Sequence, residues 1–316
     1  MFELFRVCEG YAATPPPERL DVYDLFCGAG GFTAGARIAG CNAAFACDSD
    51  ARAIETHAYN NPGAVHLCAS LPTDIPLPQD GRPFHLHASP PCQRFSKINQ
   101  NGRGSGDCAE AAALVEWYID FAMASSATSW SMEQVAQPRV VELVERKRRQ
   151  HVGRFTYAVL NFQKLGVPQT RVRLIAGTPR LVAKLMRAAE ATPKRRIRDV
   201  IPRPRGTHIR GTATGTKQRK KTHVRPGEAA YTYERMGWSD NCRSVNEAAP
   251  TVVGRHALTW VTGTGEGDNR SVLTPSELAA LQTFPPDYKF PTTKALAYLQ
   301  IGNAVPPLVA TLMLRG

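Results

Sequence analysis

The eight residues Asp24-Leu25-Phe26-Cys27-Gly28-Ala29-Gly30-Gly31 constrain the fold more than any other stretch of this chain. They close a short apolar strand candidate at 22–26 and open a helix at about 32–39. Glycines at such a turn let the backbone approach a ligand, and the helix amino terminus favours an anionic group. The alternation continues, with strand candidates at 43–47, 84–88, 129–132 and 171–176. Helices are expected from Asp50, a suitable cap, to 59, and again at 109–123. Strand–helix alternation of this kind predicts an α/β fold, a doubly wound, mostly parallel sheet with helices on both faces.

Beyond residue 191 the pattern dissolves. Residues 192–227 carry repeated Pro and Gly without helical or strand period, which predicts irregular loops or a small subdomain. Order returns near Arg243, with helices expected at 275–282, 293–299 and 306–314. The net charge is +12, and its location matters more than its size. Between Lys194 and Arg225 twelve Lys and Arg face a single acid, Asp199, so +11 lies there and +1 on everything else. That segment suits a polyanionic partner, and a chain with 29 Arg to 10 Lys suits bidentate phosphate and guanine contacts.

No apolar run approaches the roughly 18 residues of a membrane-spanning helix. The early acid of Met1-Phe2-Glu3 argues against a signal peptide. The eight cysteines include no C-x-x-C pair, so no metal site is expected and the usage fits a reducing compartment.

Five residues are placed for chemistry. Asp48 ends the second strand candidate, where an acid can bind ribose hydroxyls. Ser89-Pro90-Pro91-Cys92-Gln93 sets a thiol just past a strand end, either a nucleophile or a buried small residue. Glu133 at another strand end is either a general acid or a solvated carboxylate, while Arg171 and Arg173 share one strand face.

In order, D-L-F-C-G-A-G-G, S-P-P-C-Q, M-E-Q-V, V-P-Q-T-R-V-R, R-S-V-N-E-A-A-P-T-V and Q-I-G-N-A-V-P-P resemble the DNA (cytosine-5)-methyltransferase family. The resemblance runs from Asp21 to about Leu314. It implies a Rossmann-like, S-adenosylmethionine-dependent catalytic domain with a smaller irregular target recognition domain. The implied boundaries are a lead-in at 1–20, a catalytic and cofactor-binding domain at 21–180, and a recognition region at 181–245. Residues 246–316 would complete that region and return to the catalytic domain.

By the same resemblance Cys92 attacks carbon 6 of a flipped-out cytosine, Glu133 binds N3 and the exocyclic amine, Arg173 holds the O2 edge and Arg171 supports it. Phe26, Gly28, Ala29, Gly30, Gly31, Asp48, Ser49, Ser70, Pro90, Asn303 and Ala304 would line the cofactor site. Gln93, Ser96, Arg195, Arg196, Arg198, Arg219 and Lys220 would contact double-stranded DNA. The family also implies a monomeric cytoplasmic enzyme of a bacterium or phage, with a cognate restriction endonuclease as a separate partner.

Four departures stand out. Gln134 replaces the family's usual Asn, Asp48 its usual Glu, and Ser49 the aromatic or apolar residue that often stacks on adenine. Leu67-Cys68-Ala69-Ser70 lacks the acid that commonly meets the adenine amine. A weakened adenosine pocket is therefore expected. The RNA-directed branch of the family and a non-catalytic DNA-binding protein are the competing readings. The first is disfavoured by Arg154 before Phe155-Thr156 where that branch has Cys, the second by the intact Cys92, Glu133, Arg173 and Asn303.

Overall fold

A computed structural model describes residues 19–91, 105–202, 208–210, 242–254, 258–262 and 269–315. Seven strands form the principal sheet: β1 (Asp21–Leu25), β2 (Asn42–Asp48), β3 (Val65–Cys68), β4 (Phe84–Ala88), β5 (Ser129–Val135), β6 (Thr156–Asn161) and β7 (Val172–Gly177). Their order is β3-β2-β1-β4-β5-β7-β6, and only β7 runs against its neighbours. The expected doubly wound, mostly parallel sheet is what forms.

Alternation along the strands divides the side chains between two cores. Leu25, Phe45, Leu86 and Met132 pack beneath α3 (Ser105–Ala124) and α4 (Pro138–Gln150). Val22 and Ile175 face the other way, against α1 (Gly31–Ile38), α5 (Pro179–Ala191) and α9 (Pro307–Leu314). The intervening helix α2 (Ala51–Asn60) starts as expected, with Asp50 accepting from the Arg52 N–H at 3.0 Å.

The basic stretch is more regular than its composition suggests. It holds a helical turn, α6 (Ile197–Val200), and strand β8 (His208–Arg210). This strand joins β9 (Cys242–Ser244), β10 (Thr259–Thr262) and β11 (Asn269–Val272) in an antiparallel sheet ordered β11-β10-β8-β9. A third core of Trp260, Leu258, Leu273, Ile197 and Val200 lies under it with α7 (Pro275–Leu281) and α8 (Lys294–Asn303). Three-residue strands are too short to show a period in sequence, which is why the region reads as loops.

Among the described residues one segment, Lys294–Leu314, is long and apolar enough to cross a membrane by composition, contrary to expectation. It is interrupted at residues 304–306, and most of it is buried inside the protein, so it serves as core.

Candidate active site

The strand order changes direction between β1 and β4, since β1 connects outward to β2 while β4 leads on to β5. Ligands in open α/β sheets bind outside the carboxyl ends of the strands at such a switch point. Both turns singled out in the sequence emerge there, side by side: the Ser89 N–H donates to the carbonyl of Leu25 at 3.2 Å.

The glycine turn is held in an uncommon backbone shape. Phe26 has φ 53° and Gly28 φ 52°, the left-handed region that a side-chain-bearing residue such as Phe26 seldom occupies. Asp48 fixes the turn from the neighbouring strand, accepting from the Gly28 N–H at 2.8 Å and the Asp50 N–H at 2.9 Å. Burial raises the Asp48 pKa, opposed by these two donors. Around Gly28 a methyl group would meet nothing within 4 Å, so open space faces the turn. At Gly31 a methyl would lie 2.3 Å from the Val305 carbonyl oxygen, so only glycine lets α1 start against residues 304–305. The Tyr288 hydroxyl donates to the carbonyl of Ala29 and closes the turn from the C-terminal side.

Of the remaining cofactor-side candidates, Ser49 and Ser70 are exposed and Pro90 is buried. Ala304 is buried, and Asn303 is exposed at the end of α8, against Gly254. A ring that sequence reading did not single out, Trp117 of α3, meets Phe26 edge-on at 6.4 Å and stacks on Phe121 at 5.4 Å.

At the second turn, Gln134 is fully buried and donates its amide to the carbonyl of Pro90 at 3.0 Å. Beside it Glu133 is 8% exposed and forms an ion pair with Arg173, Nε to Oε1 3.0 Å. That buried Oε1 has no aligned hydrogen bond among the described residues. The Arg173 charge offsets its burial, and the oxygen keeps the capacity to accept an aligned hydrogen bond from a ligand.

Arg171 does not accompany Arg173 to the base side. It is 2% exposed and points into the seam between the sheet and the C-terminal segment. There it donates to the carbonyls of Val252 (3.0 Å), Gly302 (3.3 Å) and Ala304 (3.1 Å). Two buried amides that sequence reading missed extend the seam. Gln169 donates to the Leu281 carbonyl at 2.9 Å and accepts from the Val252 N–H at 2.9 Å, and Gln282 donates to the Ala304 carbonyl at 2.7 Å. In sequence Gln169 is visible only as part of V-P-Q-T-R-V-R, and Gln282 only as a polar residue closing an apolar helix.

The basic candidates divide. Arg195 is half-buried and Arg198 exposed, while Arg196 is engaged by Asp199 at 2.9 Å. Cys92, Gln93, Ser96, Arg219 and Lys220 lie outside the described residues.

With this geometry in place, comparison with known proteins is direct. The chain matches the family described as C-5 cytosine-specific DNA methylase over residues 20–110 and 152–315. It is 28% identical over 300 residues to the type II methyltransferase M.HgiDI of Herpetosiphon aurantiacus, covering 90% of this chain and 89% of that one. To the type II methyltransferase M1.HphI of Haemophilus parahaemolyticus it is 26% identical over 325 residues, covering 92% and 84%. Among solved structures, S. pombe Dnmt2 methyltransferase superposes with a TM-score of 0.59 at 15% identity, covering 93% of this chain and 96% of that one. That likeness shows the fold.

Proposed function

Since this chain belongs to the C-5 cytosine-specific DNA methylase family, we propose how its own residues carry out that chemistry. The enzyme is a DNA cytosine-5 methyltransferase. Carbon 5 of cytosine is a poor nucleophile until a group adds to carbon 6. Cys92, as thiolate, adds there, and carbon 5 then carries the electron density that takes a methyl group. Loss of the carbon 5 proton to a base then expels the Cys92 sulfur. Because carbon 6 is stacked inside a duplex, the cytosine must be flipped out, at a cost of about a few kcal/mol.

The observation that supports this reading best is the buried Glu133 oxygen beside Arg173 at the switch point. A flipped cytosine brings the donor that this oxygen lacks, its exocyclic amine, and a carbonyl edge for the Arg173 guanidinium. Gln134 sets the height of the turn that carries Cys92 through its bond to Pro90.

S-adenosylmethionine, when bound, supplies the methyl group. The residues present fit it: the space at Gly28 admits a ligand against the backbone, and each Asp48 oxygen has a lone pair beyond the one given to the turn. Gly28, Gly30, Asp48 and the 303–304 turn would hold it, with Phe26 and Trp117 flanking the space that Ser49 leaves without a ring. Arg195, Arg198, Arg219 and Lys220 form the duplex-facing basic group in this reading, with Arg196 tied to Asp199. The enzyme acts as a cytoplasmic monomer, and a separately acting restriction endonuclease is its counterpart, in keeping with relatives named as type II methyltransferases.

Duplex DNA substituted with 5-fluorocytosine tests the mechanism, because fluorine at carbon 5 cannot leave as a proton and the thioether is trapped. Wild-type protein with S-adenosylmethionine is expected to form an adduct that survives denaturation, and Cys92→Ala none. Failure of the wild-type protein on fully substituted plasmid DNA would overturn the covalent mechanism. Bisulfite sequencing of DNA from a methylation-free host expressing the chain then gives the recognition sequence.

A further inference from the structure

The face of the sheet turned toward α1 carries an arrangement that the proposed chemistry has not yet used. In Phe84-His85-Leu86-His87-Ala88 the apolar residues face α3, and both imidazoles face α1 with no solvent exposure at all. Ser129 and Ser131 of the adjacent strand stand beside them. The His85 nitrogens lie 2.7 Å from Ser129 Oγ and 2.9 Å from Ser131 Oγ. Those of His87 lie 2.8 Å from Ser131 Oγ and 2.9 Å from Ser89 Oγ. The result is an unbroken chain, Ser129–His85–Ser131–His87–Ser89, ending on the first residue of the S-P-P-C turn.

Burial keeps both imidazoles neutral, lowering the His85 pKa to about 3 and that of His87 well below its ordinary value. A neutral imidazole has one N–H and one acceptor nitrogen, so each ring must donate one way along the chain and accept the other. Ser131 has a single hydroxyl hydrogen, so at most one of the two rings can present it an acceptor nitrogen, which couples the two tautomers. The His87 ring is also held flat by Phe32 of α1, whose centroid is 3.5 Å away at an interplanar angle of 1°. Phe32 is the second residue of the helix that follows the glycine turn, so the imidazole touches both turns of the site.

The S-P-P turn needs such support. Pro90 and Pro91 have no N–H, so of the three turn residues only Ser89 has a backbone donor. Among the described residues three contacts hold it: Ser89 N–H on the Leu25 carbonyl, Gln134 on the Pro90 carbonyl, and His87 on the Ser89 hydroxyl.

We propose that His87 is a positioning residue for methyl transfer, fixing through the Ser89 hydroxyl the turn that presents Cys92. The inference rests on the proposed role of Cys92 as nucleophile. The sterics of the amides provide its test. Gln places its amide nitrogen near the position of the imidazole Nε2 that meets Ser89, whereas Asn reaches only the Nδ1 position that meets Ser131. Single-turnover adduct formation on 5-fluorocytosine duplex should slow roughly three- to tenfold in His87→Asn, the loss expected for one hydrogen bond. Ser89→Ala, at a partly exposed position where folding is not at risk, should slow it equally. His87→Gln should restore most of the rate, and the His87→Asn, Ser89→Ala double variant should be no slower than either single one. KM for S-adenosylmethionine should stay unchanged throughout.

Wild-type rates in both His87→Asn and Ser89→Ala would overturn the proposal. So would equal losses in His87→Asn and His87→Gln with Ser89→Ala unaffected, which would reduce His87 to packing. No adduct with wild-type protein would instead remove the covalent reading beneath it, and with it this inference.

Discussion

Replacing Arg171 by Met separates two roles for this arginine that sequence reading could not. The substitution keeps an unbranched chain of similar volume and removes the guanidinium. Three carbonyls lose a charged donor: Val252, Gly302 and Ala304. Ala304 keeps the Gln282 amide at 2.7 Å, so the deficit falls on Val252 and Gly302. The Gly302 carbonyl is among the last four of α8, which have no partner within the helix, and a cation there also meets the negative end of the helix dipole. Leaving a buried acceptor unmatched costs about 1–3 kcal/mol. Two of them therefore cost about 4 kcal/mol, which at ~2 °C per kcal/mol for a chain this large lowers the melting temperature by about 8 °C.

The functional consequence follows from where the seam leads. Residues 304–305 abut the start of α1 so closely that Gly31 has no room for a methyl group. Loosening them disturbs the floor of the cofactor turn before it disturbs the base side. Arg171→Met should therefore raise KM for S-adenosylmethionine several-fold more than it lowers kcat. Arg171→Lys should fall between, because one ammonium cannot span three carbonyls. Calorimetric unfolding and steady-state kinetics on the three proteins test this. A melting temperature within about 2 °C of wild type, together with a loss confined to kcat, would refute the tether and return Arg171 to the side of the base.

Two other expectations follow from the same geometry. Ser49 is exposed and provides no ring for adenine, so the wild-type dissociation constant for S-adenosylmethionine should be weaker than low micromolar. Ser49→Trp should tighten it roughly three- to tenfold, the value of about 0.5–1.5 kcal/mol for an aromatic pair, and calorimetry showing tight wild-type binding or no gain would sink the idea. His57 and His85 are buried with pKa values lowered to about 3, so the unfolded chain takes up protons below about 6.5 that the folded chain refuses. Their contribution to stability is complete above about pH 6.5 and is lost as pH falls toward 3. Asp24, raised to about 7 by burial, works in the opposite sense: its contribution is complete below the ordinary carboxylate range and is lost as pH rises toward 7. His85→Gln removes one proton from the histidine side only. The gain in unfolding free energy between pH 5 and 6.5 should shrink by about 2 kcal/mol relative to wild type, and an unchanged slope in urea titrations would count against a buried neutral His85.

What could be read in advance was whatever the backbone demands locally. The glycine turn, the cap at Asp50 and the strand at 84–88 each depend on neighbours a few residues away, and each formed where expected. The seam contacts of Arg171 are not legible locally, because its partners are 81, 131 and 133 residues distant. Strand β6 went unnoticed because none of its six residues is fully buried, so neither face shows an apolar period. The two histidines of β4 were visible only as alternation. Their meaning depends on Ser129 and Ser131, which reach them through the parallel pairing of His85 with Ser129 and His87 with Ser131.

That same pairing accounts for the glutamine that departs from the family pattern. Ala88 is opposite Met132, so Pro90 and Gln134, each two residues further on, continue the register past the end of the ladder. Neighbouring strands lie about 4.8 Å apart, and the prolines offer no N–H to bridge the gap. A side-chain amide must cross it, and from a fully buried position Gln134 does so, reaching the Pro90 oxygen at 3.0 Å while its own oxygen accepts from the Val135 N–H at 2.7 Å. An asparagine is one methylene shorter and could make the same bond only with the turn drawn closer to β5. The longer amide therefore spans the gap from β5 to the turn while its own oxygen stays satisfied. The His87–Ser89 contact at 2.9 Å is then a second side-chain bond on the same turn, reaching it from β4 as Gln134 reaches it from β5.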